Sequence, residues 1–96
     1  MEIVFHFKSE NFAKAKEILL TDDIVGRASM TFKDGTTVGK DGYFCYFSGT
    51  DEQCKRAKDL IKDLAEISDD KTKILVISKI KEEEDQAIQG FGSILG

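Results

Sequence analysis

Apolar and polar residues alternate with period two at the start of the chain, where Ile3, Phe5 and Phe7 interleave with Val4, His6 and Lys8. This is the pattern of a strand with two unlike faces, and it predicts strand one over residues 2–8. Asn11 then offers an N-cap oxygen. Phe12, Ala15, Ile18 and Leu19 recur at steps of three and four, which places them along one stripe of a first helix. Thr21-Asp22-Asp23 interrupts that pattern, and alternation resumes through Ala28, Met30 and Phe32, giving strand two over 25–33. Two Asp-Gly pairs, Asp34-Gly35 and Asp41-Gly42, let the chain reverse and predict a hairpin with a long or bulged tip.

Tyr43 to Phe47 is an unbroken apolar run of strand formers between two glycines, too short for a helix, and is read as a central strand. Thr50 and Gln53 stand at capping-box spacing, and Asp51 and Glu52 sit where carboxylates favour the positive end of a helix. Helix two should therefore begin near 51. Its stripe is Cys54, Ala57, Leu60, Ile61, Leu64 and Ile67, with Lys55, Arg56, Lys58, Lys62 and Asp63 left to solvent, and Ser68-Asp69-Asp70 as the stop. Ile74 to Ile77 is continuous and mostly β-branched, which predicts a fourth strand fraying into Lys79-Ile80-Lys81. Residues 1–81 then form one domain, and 82–96 form a tail that is first acidic and then apolar with glycine spacing.

An internal echo organises these elements: Ala15-Lys16-Glu17-Ile18-Leu19 recurs 42 residues on, at position 57, as Ala57-Lys58-Asp59-Leu60-Ile61. Strand, helix, strand, strand, helix, strand with right-handed crossovers predicts a ferredoxin-like α+β two-layer sandwich. Its antiparallel sheet would run in order 4-1-3-2, with both helices on one face. The echo aligns Ile3 with Cys45, Phe5 with Phe47 and Phe12 with Cys54, which assigns both cysteines to the core. Val4, His6, Phe44 and Tyr46 are left on the opposite, open face.

Composition narrows the function. The 96 residues are 41% hydrophobic and 33% charged, with 14 Lys and Arg against 18 Asp and Glu, a net charge of −4. That is one small core's worth of chain, without a basic field to draw nucleic acid or anionic lipid. Tyr43 to Phe47 departs from the motif with which RNA-recognition domains stack bases, because Cys45 and Tyr46 fall where an aromatic and an aliphatic residue belong. Neither a membrane span nor a basic leader can be read, and two unpaired cysteines fit a reducing compartment, so a cytoplasmic protein is expected. His6 lacks Cys or His neighbours at zinc-ligand spacing, and no nucleophile or phosphate-loop motif is present.

An exposed apolar sheet face usually marks an interface. The reading is therefore a non-enzymatic interaction or regulatory module, binding itself as a homodimer or binding a protein partner. The contacts would be Val4, His6, Phe44 and Tyr46 together with Phe91, Ile94 and Leu95 of the tail. His6 would add a proton-dependent contact there. Alternatively the tail folds back over the face with Ala87, Ile88, Phe91, Ile94 and Leu95. A second reading gathers Asp22, Asp23, Asp51 and Glu52 with Glu82, Glu83, Glu84 and Asp85 at one end of the sandwich, as oxygen ligands for calcium or magnesium, although the spacing is not that of an EF-hand. A small enzyme with a site assembled from distant positions is the third.

Overall fold

The computed structural model describes the backbone of residues 1–95 and the side chains of residues 1–84. In chain order the elements are β1 (Glu2–Phe7), α1 (Ser9–Thr21), a 3-10 turn (Val25–Arg27), β2 (Ser29–Asp34), a second 3-10 turn (Gly35–Val38), β3 (Tyr43–Ser48), α2 (Asp51–Leu60), β4 (Ala65–Ile67) and α3 (Asp70–Leu95). The protein is α+β. Its four strands run β2-β3-β1-β4, and all three pairings are antiparallel. This is the expected strand order read from the other edge.

The fourth strand, however, is a different segment from the one the sequence pattern indicates. Helix α2 ends at Leu60, and the carbonyl of Ile61 then takes the N–H groups of Leu64 and Ala65, both at 2.9 Å, turning the chain back toward the sheet. Leu64 and Ile67 therefore leave the helical stripe. Ala65 to Ile67 pairs with β1, placing Ala65 opposite Phe7 and Ile67 opposite Phe5. The residues read as a stop are the start of the next helix. Asp69 caps α3 by accepting the Thr72 N–H on its carboxylate at 2.8 Å and the Lys73 N–H on its carbonyl at 2.8 Å. The Thr72 bonds hold the Asp69 carboxyl below the usual carboxylate range. Residues 74–81 are thus helical, and α3 also carries the chain through the expected junction at 81/82.

Smaller shifts have local causes. Helix α1 begins at Ser9, two residues before Asn11, because the Lys8 carbonyl accepts the Asn11 N–H at 3.0 Å. Residues 25–27 form a 3-10 turn instead of strand, since the Asp22 carboxylate accepts the N–H groups of Ile24 (3.1 Å) and Val25 (2.9 Å). The capping box at Thr50 and Gln53 forms as expected, with both reciprocal bonds made.

The echo assigned strand faces correctly. Ile3, Phe5, Phe7, Cys45 and Phe47 point to one side of the sheet and meet Ala15 and Leu19 of α1 and Cys54, Ala57 and Ile61 beyond them, in one buried cluster. Both cysteines are buried in it and unpaired. Burial pushes the Cys45 thiol up to about 12, so that it behaves as a small apolar group. The other side of the sheet is not open. Val4 and Phe44, each 1% exposed, form a second cluster with Val76 and Ile80 of α3. The sheet therefore has helices on both faces, and the chain is a three-layer structure where two layers were expected.

Candidate interaction surface

Helix α3 lies on the sheet along a single stripe. The Lys73 ammonium donates to the Glu2 carbonyl at 3.0 Å, Val76 and Ile80 fill the apolar middle, and Glu83 forms an ion pair with Lys33 of β2. Steps of three, four and three are the spacing of one helix face.

That stripe decides the fate of each residue expected at the sheet face. Val4 and Phe44 are covered and unavailable to any partner. Tyr46 is half-buried and donates its hydroxyl to the Glu2 carboxylate at 2.5 Å, a bond that, with partial desolvation and the nearby charge of Glu84, pushes the phenol up to about 12. His6 stacks on Phe44 with ring centroids 4.7 Å apart. Its Nε2 lies 2.8 Å from the Asp41 carbonyl oxygen, which can only accept, so Nε2 carries the proton and donates. His6 is thus engaged within the chain. It borders two shallow clefts at the β1–β4 edge, of about 220 Å³ and 350 Å³, which share Glu66 and include Lys8 and Lys62 in one and Lys40 and Ser68 in the other. Phe91, Ile94 and Leu95, with Ala87 and Ile88, have side chains outside the described residues.

The structure separates the carboxylates proposed to share a cation. Asp22, Asp23 and Glu52 do lie around one point at the α1–α2 end, but that point is the Arg56 guanidinium, and Asp51 occupies the first turn of α2. Arg56 holds Asp22 through two bonds of 2.8 Å, and Arg27 borders the cleft that contains Asp23 and Glu52. Glu82, Glu83 and Glu84 ride on α3 across the other face of the sheet, where Glu83 meets Lys33 and Glu82 lies 3.7 Å from Lys79. They do not arrive from the end of β4, and the Asp85 side chain lies outside the described residues. Among the described residues, no three His, Cys, Asp or Glu side chains are grouped to hold an ion.

The Arg56 bonds and the backbone N–H of Val25 hold the Asp22 carboxyl far below its ordinary range. A carboxyl depressed on folding stabilises the protein above its unfolded value, near pH 4, and this contribution disappears as the pH falls through the folded value. Asp22→Asn is therefore expected to lower the melting temperature at pH 7. The gap to wild type should close progressively below about pH 4. Melting curves from pH 7 to 2 measure this, and a gap that widens in acid contradicts the assignment.

The surface missed by reading 74–77 as a strand lies on the outer side of α3. Four consecutive apolar residues in a helix sweep about 300° around its axis, so one packed face cannot cover them all. The sheet takes Val76 and part of Ile77. Ile74 remains 65% exposed and Leu75 46%, the two large apolar side chains most exposed on any of the described helices save Leu20 of α1. They line a shallow cleft of about 420 Å³ with Lys40, Lys71, Thr72 and Ser78, and Asp69 completes its rim between the two lysines. The signal in the sequence was the run itself, taken together with the cap at Asp69.

No helix among the described residues is long and apolar enough to cross a membrane. A scan of protein-family models finds none that matches the chain, and searches of the curated proteins and of the solved structures return no match.

Proposed function

We propose that this chain is a small non-enzymatic interaction module, a ferredoxin-like α+β sandwich with a third helix laid across its free face, and that it binds a protein partner through the outer side of α3. The observation that carries this reading is the exposed Ile74–Leu75 pair. A helix that spends one complete turn on apolar residues, with only half of them used by its own fold, presents the rest to something else. The cleft around the pair is rimmed by Lys40 and Lys71 against the single carboxylate of Asp69, which favours a partner carrying an apolar side chain flanked by acid.

The test is a photo-crosslinking amino acid in place of Ile74, activated in the cells that make the protein. The expected result is one discrete protein adduct. A control at Lys14, exposed on α1, should give none.

A further inference from the structure

The two edges of the sheet differ in how they are protected. The β4 edge has three residues, too few to template another strand, whereas β2 exposes six. The Gly35 N–H donates to the Gly42 carbonyl at 2.8 Å, which fixes the parity of the β2–β3 ladder. Ser29, Thr31 and Lys33 direct their backbone groups inward to β3, and Met30, Phe32 and Asp34 direct theirs outward. Among the described residues, three of the usual guards of such an edge are missing. The chain has no proline, the β2–β3 register runs without a bulge from Ser29 to Asp34, and the strand's only lysine, Lys33, is drawn onto the α3 side by Glu83.

We infer that β2 pairs antiparallel with β2 of a second copy about a two-fold axis at Thr31, joining two sheets into one of eight strands. The inference is independent of the proposed α3 surface. Its support is the self-complementarity of the strand. With Thr31 opposite its own symmetry mate, the outward backbone groups of Met30 meet those of Phe32 in the second copy, and the reverse, giving about four interchain hydrogen bonds. Met30 and Phe32 are partly buried against the α1–α2 core, so their meeting extends that core across the junction. Phe32 is already held edge-on to Phe12 at 5.8 Å and under the Lys16 ammonium at 5.2 Å, an ordered surface to receive Met30. Ser29 faces Lys33, so no like charges are opposed. Other registers that keep the outward groups paired move by two residues. Centring on Phe32 sets Met30 against Asp34, and centring on Met30 sets Phe32 against Ala28 and gives up the Met30–Phe32 contact.

The chain with Thr31→Cys tests the pairing, because the native Cys45 and Cys54 are buried and stay silent. At a non-hydrogen-bonded antiparallel pair the Cα atoms lie about 4.5 Å apart, within reach of a disulfide. The expected result is a covalent dimer as the main product under mild oxidation, no covalent dimer for the control Ser29→Cys, and a wild-type mass by light scattering of twice 10.7 kDa. A wild-type chain that remains monomeric at its highest soluble concentration overturns the inference. So does a wild-type dimer in which Thr31→Cys fails to crosslink, or in which Ser29→Cys crosslinks equally well.

Discussion

Gly42→Ala is expected to destabilise the protein by about 2–4 kcal/mol, seen as a lower urea midpoint at unchanged slope. Two costs combine. Gly42 has φ of 79°, in the left-handed region, where an L side chain costs about 1–2 kcal/mol. A Cβ there would also run into the carbonyl oxygen of Phe7, the last residue of central strand β1, and crowd the His6 ring at 3.3 Å. Backbone in a strand paired on both sides cannot withdraw. Gly39 separates the two effects, since its φ of 71° carries the same conformational cost but a Cβ there meets nothing within 4 Å. Gly39→Ala should therefore cost only about 1–2 kcal/mol. Equal losses at the two positions would mean that the Phe7 carbonyl does not constrain the hairpin.

Ile80→Ala is expected to cost about 2–4 kcal/mol, while Ile74→Ala changes stability by no more than about 0.5 kcal/mol. Ile80 is 2% exposed between the sheet residues Val4 and Phe44, so its truncation leaves a cavity in a cluster that only α3 can fill. Ile74 is largely in solvent, and little is lost with it. The comparison also discriminates between two foldings of one segment. A strand over 74–77 would bury Ile74 and Val76 together on one face, and Ile74→Ala would then be costly. Denaturant midpoints for Ile74→Ala, Val76→Ala and Ile80→Ala decide between these patterns.

Much of the fold could be read from pattern because short-range rules governed it. The Ile3-Phe5-Phe7 alternation, the Thr50–Gln53 cap and the Asp-Gly pairs each involve neighbours within a few residues. The echo between the two halves then carried face assignments from one to the other. The fourth strand was not legible for a physical reason. Ala65-Glu66-Ile67 is three residues long, and its pairing with β1 rests on a turn around the Ile61 carbonyl that leaves no mark on composition. Ile74 to Ile77, by contrast, has strong β propensity that packing overrides, since the Asp69 cap and the contacts of Val76 and Ile80 with the sheet reward a helix.

The candidate site followed the same division. Val4, Phe44, Tyr46 and His6 were correctly placed on one sheet face, but their exposure depended on what α3 does. The expected meeting of Glu82, Glu83 and Glu84 with the carboxylates of the α1–α2 end borrowed its geometry from the misplaced strand, whereas α3 carries them across the other face of the sheet. Ile74 and Leu75 gained meaning only once the segment was seen to be helical, because a helix points four successive side chains in four directions.

The central claim is that this turn of α3 is shared, half with the sheet and half with a partner. Photo-crosslinking at positions 74 and 75 in the native cell, against position 14, tests it most directly. The account predicts the same discrete protein adduct from 74 and from 75, and none from 14. It is contradicted by no adduct at 74 and 75, or by a diffuse spread of products no different from that at 14.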